Sequence, residues 1–274
     1  MDKIDERTQA ALIKFKQLQE RNNDTFLPLF WDMNRHLVLC GGGGSGKSIF
    51  AGQKVLERIT SEQGHRILVC RKVARTLRES CFRQLIGQIR EYYNHSDFTI
   101  NKTDMTITYK NGSEIVFSGL DDVEKLKSIY HITSIWIEEA SELDEGDYNQ
   151  LNIRLRDETK YYKQIITTFN PISATHWLKQ RFFDKDADNV TTHRSTYKDN
   201  RFLNSDEWQT LEDFKDTDPY YYAVYCLGEW GVYGKTVFDA EAVTDRLQTI
   251  TAPIMQGYFN YEYNGKTCGG YDWT

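Results

Sequence analysis

The sequence has little proline and cysteine and no long apolar run. Four of its 274 residues are Pro and five are Cys. The cysteines form no Cys-x-x-Cys pair and have no His at metal-ligand spacing, which argues against a zinc site and a disulfide framework. No segment reaches the ~20 apolar residues that a membrane span needs, and the charged N-terminus lacks the apolar core of a signal peptide. These absences predict a protein of a reducing cytoplasm.

Basic residues do not outnumber acidic ones. The chain has 34 Lys and Arg against 40 Asp and Glu, a formal net charge of −6. A general nucleic-acid coat protein would be basic, so this balance argues against one and leaves room for a single local basic face. Hydrophobic residues make up 39%, with 14 Phe, 17 Tyr and 6 Trp, which is enough for an ordered core.

Short apolar segments alternate with helical patterns, which predicts a parallel α/β sheet covered on both faces. The predicted buried strands are 36–40, 66–70, 134–140 and 164–170. Amphipathic helices are predicted at 6–21 and 73–92 from apolar residues three or four positions apart. Residues 105–119 surround Asn111-Gly112 and predict an antiparallel hairpin at the sheet edge, and Asp218-Pro219 predicts a helix start.

A glycine-rich loop follows the first strand and matches the P-loop pattern. Its residues are Gly41, Gly42, Gly43, Gly44, Ser45, Gly46, Lys47 and Ser48. Glycines let successive backbone N–H groups point at phosphate oxygens, and the next helix presents its positive end. Lys47 is expected to reach the β- and γ-phosphates of ATP, and the Ser48 hydroxyl to bind Mg²⁺. A flexible linker does not stand between a buried strand and a helix, so a nucleotide site is the preferred interpretation.

Two further strand ends carry polar side chains. The segment 134–140 carries two acidic residues near its end. Glu138 is an expected Mg²⁺ ligand, and Glu139 is an expected general base that polarises the attacking water. Two adjacent carboxylates favour hydrolysis over a binding switch. The segment 164–170 ends with Thr168 and Asn170, which places an amide near the γ-phosphate; an ordinary strand end broken by proline is the alternative for this pair.

Together these motifs resemble the ATPase domain of the tailed-phage terminase large subunits, the motors that pump DNA into proheads. The resemblance covers nearly the whole chain and includes "NRHLVLC", "RILVCRKVARTLRES", "FSGLDDVEKLKSI", "SIWIEEASEL", "LNIRLR", "TTFNP" and "YCLGEWGVY". It implies a P-loop NTPase fold of the ASCE or RecA-like kind, with a mainly parallel sheet flanked by helices. It also implies that Thr168 and Asn170 couple hydrolysis to DNA movement, and that Trp31 and Arg35, with Phe30, border the adenine.

The sequence departs from the family pattern at two places. Many relatives have Arg at the position of Gly43, and Arg-Gly where this chain has Lys127-Ser128, and both have been assigned arginine-finger roles. The finger is therefore expected elsewhere, or Lys127 substitutes for it without the bidentate fork of Arg. The candidates are Arg71, Arg154 and Arg156, with a surface or structural ion pair as the alternative for each.

The resemblance also implies a domain organisation. Residues 1–234 are expected to form the ATPase domain with a helical lid, and 235–274 a linker and the start of an RNase H-like nuclease. Asp272 would be the first metal-binding carboxylate of that nuclease. Because the chain stops there and one carboxylate does not assemble a two-metal site, we expect no nuclease activity.

The implied partners are double-stranded DNA, the portal protein, the terminase small subunit and further copies of the chain in a ring, in the host cytoplasm and without a membrane. Whether the chain is a monomer in solution is left undecided by the sequence. The segment 185–202 interleaves basic and aromatic residues, and we interpret it as a solvated loop rather than a DNA contact. Two alternatives remain: another P-loop nucleic-acid ATPase of helicase or recombination type, and an assembly protein whose nucleotide fixes its shape.

Overall fold

A computed structural model describes residues 6–120, 130–232, 259–263 and 266–270. The chain divides into two compact units, residues 1–231 and 232–274. The second unit contains an antiparallel pair of strands, Phe259–Tyr263 and Lys266–Gly270. The expected boundary near residue 234 and the nuclease assignment remain predictions, and no described helix is long and apolar enough to cross a membrane.

The first unit is built on one eight-stranded sheet. Its strands are β1 (His36–Gly41), β2 (Arg66–Arg71), β3 (Phe98–Asn101), β4 (Thr106–Tyr109), β5 (Glu114–Gly119), β6 (Ser134–Glu138), β7 (Gln164–Phe169) and β8 (Val190–Ser195). Their order is β3-β4-β5-β2-β6-β7-β1-β8. The six strands from β5 to β8 pair in parallel. The mainly parallel P-loop fold is thereby confirmed.

Strand β7 lies between β1 and β6. This inserted strand is the RecA-like arrangement, because it separates the strand that ends in the glycine-rich loop from the strand that ends in the acidic pair. The apolar strands predicted from sequence are buried on both faces, as β1, β2, β6 and β7 show almost complete burial. Helices therefore have to cover both faces of the sheet.

Helices cover the two faces in separate apolar layers. They are α1 (Glu6–Arg21), α2 (Lys47–Ser61), α3 (Ala74–Leu77), α4 (Arg83–Tyr92), α5 (Glu145–Arg154), α6 (Trp177–Phe182), α7 (Ser205–Thr217) and α8 (Pro219–Tyr221). On one face, Phe50 and Leu56 of α2 pack with Leu85 of α4. On the other face, Tyr148 of α5 packs with Leu178 of α6.

The helix predicted at 73–92 forms with an irregularity that the pattern did not indicate. A π-helical turn, Arg78–Phe82, joins α3 to α4. A π-helical turn holds one extra residue and is frequent at functional positions. The predicted helix 6–21 is confirmed as α1, and Asp218 caps α8 by accepting the Tyr221 N–H at 2.9 Å.

The hairpin around Gly112 forms as predicted, with β4 and β5 antiparallel. Its second strand, β5, also pairs in parallel with β2 and so belongs to the main sheet. The interpretation of 185–202 as a solvated loop is wrong in part, because β8 pairs in parallel with β1 along six residues. Strand β8 is a sheet edge with partly exposed polar side chains, so its sequence lacks the apolar run of a central strand.

A half-buried histidine at the start of β1 gives a pH-dependent contribution to stability. Burial lowers the pKa of His36 to about 4, and the positive charges of Arg35 and Arg181 act in the same direction. The unfolded chain therefore binds a proton more readily than the folded chain between pH 6.5 and 4, and stability falls as the pH drops through that window. Because the ring is partly exposed, we expect the free energy of unfolding to fall by about 1–2 kcal/mol, less than the full pKa difference would give.

The test is to measure the free energy of unfolding of wild type and of His36→Gln by denaturant between pH 4 and 7. The difference between the two proteins should change with pH by the amount that His36 contributes. The glutamine keeps a hydrogen-bonding group beside the Tyr148 hydroxyl, which lies 2.7 Å from His36 Nδ1. A difference that stays constant over this range would contradict the assignment.

Candidate active site

Three neighbouring strands bring the predicted motifs to one edge of the sheet. Strands β1, β7 and β6 are adjacent and parallel, so their carboxyl ends lie side by side, where open α/β sheets bind ligands. The glycine-rich loop follows β1, Glu138 and Glu139 follow β6, and Thr168 and Asn170 follow β7. Residues more than 120 positions apart in sequence thus form one site.

The backbone of the glycine-rich loop depends on its glycines. Gly46, just before α2, has φ of 87° in the left-handed region, which L-residues with a side chain rarely adopt. A Cβ on Gly42 would lie 2.2 Å from the carbonyl oxygen of Cys226. The Gly43 N–H donates to the Tyr225 carbonyl at 2.5 Å. The start of the loop is therefore held against the helical segment 219–226, and the amides of Gly42 and Gly43 are used internally.

Two buried side chains in the loop carry polar atoms suited to phosphate. Lys47 is 8% exposed, and its Nζ donates to the Gly42 carbonyl at 3.0 Å and to Asn170 Oδ1 at 2.7 Å. Burial lowers the pKa of Lys47, while Glu138 and Glu139 act in the opposite direction. The Oγ of Ser45 is buried without a hydrogen-bond partner among the described residues. An unpartnered buried hydroxyl and a buried ammonium in one glycine-rich loop match an anionic ligand.

Glu138 sits between two hydroxyl groups. Ser48 Oγ donates to Glu138 Oε1 at 2.8 Å, and Thr168 Oγ1 donates to Glu138 Oε2. Burial raises the pKa of Glu138, and these two hydrogen bonds oppose the rise. Hydroxyl and carboxylate oxygens are hard ligands of the kind Mg²⁺ prefers, so the Ser48 and Glu138 pair suits that cation.

Glu139 leaves the strand in a strained conformation. Its φ and ψ are both 51°, the left-handed region, and it precedes the short helix Ala140–Glu142. A non-glycine residue there costs of order 1–3 kcal/mol, and such strain clusters at functional sites. The turn makes the side chains of Glu138 and Glu139 leave the backbone in different directions. The Glu139 carboxylate is half-buried and within electrostatic range of Lys47 and Arg71.

Arg71 is the predicted arginine that reaches this edge of the sheet. It ends β2, next to β6, and donates from Nε and Nη2 to the Glu142 carboxylate at 3.1 and 2.7 Å. The hydrogen bonds to Glu142 raise the pKa of Arg71, and Glu139 and Glu138 contribute in the same direction. Arg154 ends α5, and Arg156 lies in the turn after it. Lys127 and Asp272 lie outside the described residues.

The structure does not bring Arg35 to the glycine-rich loop. Arg35 precedes β1, at the opposite edge of the sheet, and donates to the Asn152 side chain and to the carbonyls of Asn152 and Leu155 at 2.9 to 3.2 Å. Its guanidinium caps the C-terminal end of α5, where carbonyls lack helical partners. The expectation that Arg35 borders the adenine is therefore wrong.

Trp31 also lies away from the loop. It is 52% exposed and lines a cavity of about 270 Å³ with Phe15, Phe30 and Ser61. Ser61 is the last residue of α2, about 21 Å along the helix axis from its first. The adenine prediction for Trp31 is thus corrected as well. Phe30 instead lies edge-on to Phe50 of α2, with ring centroids 5.0 Å apart, and its adenine role stays a prediction.

A different cavity adjoins the loop. It has a volume of about 240 Å³ and is lined by Arg21, Asn22, Asn23, Phe26, Gly46, Ile49, Phe50, Tyr92, Asn200 and Phe202. Asn200 connects this cavity to the loop, because its Nδ2 donates to the Gly44 carbonyl at 2.6 Å and its Oδ1 accepts from Asn23 Nδ2 at 3.1 Å. Sequence reasoning missed it, since its residues come from four separate segments without a common motif.

Comparisons with known proteins agree with this geometry. Residues 33–229 match the family model for the phage terminase large subunit. The chain is 32% identical over 250 residues to the PBSX phage terminase large subunit of Bacillus subtilis strain 168, covering 84% of this chain and 57% of the relative. It is 27% identical over 230 residues to the terminase large subunit of Bacillus phage SPP1, covering 76% and 54%. The chain thus spans about half the length of these relatives.

Solved structures share the fold. The large terminase of the thermophilic bacteriophage D6E, solved in complex with ADP, superposes with a TM-score of 0.64 at 18% identity, over 76% of this chain and 54% of that one. The large terminase ATPase domain of Thermus phage P74-26 gives 0.57 at 12% identity, over 84% of this chain and 100% of that one. The family model matches most of the chain, and the P-loop and acidic pair lie at one edge of the sheet. The chain therefore belongs to the phage terminase large subunit family.

Proposed function

We propose that this chain is the ATP-hydrolysing motor domain of a viral DNA-packaging terminase, which drives double-stranded DNA into the prohead. One observation carries the proposal: the phosphate loop, the acidic pair and the Thr168–Asn170 strand end converge on adjacent strands, with Lys47 bonded to Asn170. A neighbour of the same fold, the D6E large terminase, was solved with ADP. The portal, the small subunit and a ring of copies in the host cytoplasm are the partners and setting implied by the family.

Each side chain has a role in this proposal. Lys47 and the loop amides after Gly43 bind the phosphates, and Ser48 and Glu138 would hold Mg²⁺. When bound, Mg²⁺ neutralises charge on the β- and γ-phosphate oxygens. Glu139 accepts the proton of the attacking water as general base. The second carboxylate favours this motor over an assembly protein whose nucleotide only fixes its shape.

Asn170 is suited to sense the nucleotide. Lys47 Nζ bonds to Asn170 Oδ1, and a γ-phosphate would compete for the same ammonium hydrogens. Asn170 is followed by Pro171, whose carbonyl accepts the Gly231 N–H at 2.9 Å. When Lys47 exchanges Asn170 for a γ-phosphate, the segment 170–171 loses one contact to the site while staying bonded to Gly231, the last residue of the first unit. This connection is a route by which hydrolysis can be coupled to movement.

The adenine is proposed to enter the cavity beside Gly46 rather than the groove at Trp31. Phe26 is buried beneath this cavity, while Ile49 is 46% exposed. An apolar floor with amide groups at its margin suits a purine base. The Ile49 side chain follows Lys47 by two residues, so the cavity is close to the phosphates.

ATP turnover and titration test both parts of the proposal. We expect the chain to hydrolyse ATP with Mg²⁺, and Ile49→Trp to fill the cavity and weaken ATP binding by roughly tenfold, a loss of about 1.4 kcal/mol. Binding of inorganic tripolyphosphate should change little, because it has no base. Trp31→Ala is the control and should leave ATP affinity unchanged.

Two outcomes would contradict this. Absence of ATP hydrolysis above the background of Lys47→Ala would remove the enzyme assignment. Weaker ATP binding in Trp31→Ala, with Ile49→Trp unaffected, would return the adenine to the Trp31 groove.

A further inference from the structure

A groove rich in basic residues runs along the helical segment 74–92, which follows Arg71 at the end of β2. It has a volume of about 430 Å³ and is lined by Arg78, Glu79, Phe82, Arg83, Ile86, Gly87, Arg90 and Lys102. Four of these are cationic and one is acidic, in a chain whose formal net charge is −6. The groove therefore concentrates positive charge against the overall balance.

The cations of the groove are exposed and weakly engaged. Arg83 pairs with Glu79, but their side chains are 71% and 55% exposed, and such surface pairs contribute little. Arg78 donates one N–H to the Lys102 carbonyl at 2.7 Å. No carboxylate among the described residues pairs with Arg90 or Lys102. These side chains can therefore turn toward an external anion at low cost.

The floor of the groove is open because of a glycine. Gly87 lies inside α4, where glycine is a poor helix former, and a Cβ there would have no atom within 4 Å. Packing therefore does not require glycine at this position. Its missing side chain leaves a depression between Arg83 and Arg90, which are two turns and about 10.5 Å apart along the helix axis.

A neighbouring face of the same helix contacts the nucleotide site. Gln84 Nε2 donates to the Ser48 carbonyl at 2.8 Å, and Gln88 Nε2 donates to the Ile49 carbonyl at 2.9 Å. A Cβ on Gly52 of α2 would lie 2.6 and 2.7 Å from these two amide groups, so α4 packs closely on α2. The two glutamines thus connect the groove helix to the first turn after the phosphate loop.

We propose that the groove binds the phosphate backbone of duplex DNA, and that Gln84 and Gln88 transmit this contact to the nucleotide site. The inference rests on the proposed function and names the DNA-contacting surface of the motor. Recognition is of phosphate and independent of sequence, since the groove presents guanidinium and ammonium groups without a protruding base-reading element. Duplex DNA is the expected occupant because it is the polyanion that the motor moves.

Fluorescence anisotropy with a random-sequence duplex, over a series of salt concentrations, tests the groove. The variant is Arg83→Ala, Arg90→Ala and Lys102→Ala together. We expect the slope of log affinity against log salt to fall by about 2.7, and affinity to fall roughly ten- to hundredfold. The matched control removes three exposed lysines elsewhere, Lys16, Lys160 and Lys185, and should bind nearly as wild type does.

Several results would overturn the groove. One is a triple variant with the wild-type slope, and another is an equal loss in the lysine control, which would indicate diffuse attraction. A third is a groove variant that loses heparin binding but keeps duplex DNA. These results are distinguishable from failure of the proposed function, in which wild type itself neither turns over ATP nor binds DNA.

The connection to the nucleotide site is tested separately with Gln84→Met and Gln88→Met, which remove the donors and keep side-chain length. We expect duplex affinity to stay within about twofold. The fold-change in ATP turnover on adding DNA, taken for each variant relative to its own DNA-free rate, should fall at least ~fivefold. Gly87→Glu, which adds a negative charge in the groove without removing an arginine, should weaken duplex binding in the same assay. An unchanged DNA effect in the glutamine variants, or no DNA effect in wild type, would overturn the coupling.

Discussion

Replacing Glu139 by glutamine is expected to lower the rate of ATP turnover by roughly 10²- to 10⁴-fold, the range for loss of a general base. The amide keeps the size of the side chain but does not take a proton from water. Because glutamine meets the same left-handed backbone at this position, local strain should not change. ATP affinity should therefore stay close to wild type, as measured by titration beside steady-state turnover.

Two neighbouring carboxylates provide the controls. Glu145→Gln removes an equal charge at the exposed start of α5 and should retain turnover. Glu138→Gln should instead raise the Mg²⁺ concentration needed for activity, since Glu138 contacts Ser48. If Glu139→Gln hydrolyses ATP at the wild-type rate, Glu139 is not the base, and the assembly-protein alternative regains support.

Arg71→Ala should reduce turnover by about 10³-fold, the lower end of the range for an arginine that stabilises phosphoryl transfer. Arg71 is the finger candidate at the edge that holds Glu138 and Glu139, and Glu142 fixes its guanidinium through two hydrogen bonds. Loss of a fixed positive charge affects the transition state more than the bound substrate. ATP affinity should therefore change much less than turnover, in parallel kinetic and titration measurements.

Variants at the other two candidates decide between a finger in the same chain and one acting on a neighbour. Arg154 is the last residue of α5 and Arg156 follows it, at the helix end that Arg35 caps. Alanine at either position should therefore leave single-chain turnover intact. Arg71→Lys should recover little, because an ammonium does not reproduce the bidentate pairing with Glu142. Loss of turnover in Arg154→Ala or Arg156→Ala, with Arg71→Ala active, would assign the finger to a neighbouring subunit.

Much of the catalytic edge was predictable from local signals. The glycine-rich loop, Glu138 and Glu139 each follow a short apolar run, and parallel strands place their carboxyl ends on one edge. The hairpin at Gly112 and the cap at Asp218 were likewise readable from the residues that their turns require. These features depend on neighbours within a few positions, which is why a single sequence contains them.

Other features depend on contacts between distant segments. The cavity beside Gly46 joins Asn23 to Asn200, 177 positions apart, and neither residue has a motif of its own. Trp31 and Arg35 lie near the loop in sequence but pack at other places in the fold. Strand β8 resembled a loop because an edge strand is paired on one side and keeps polar side chains on its surface.

The order of residues by itself determined the phosphate loop, the acidic pair and the alternation of strands and helices, since each rests on backbone conformation or local periodicity. The tertiary structure alone decided which arginine reaches the acidic pair, where a base can enter, and which cations gather along the segment 74–92. Those outcomes depend on how helices pack across the sheet, because packing brings together side chains whose separation along the chain leaves no local pattern.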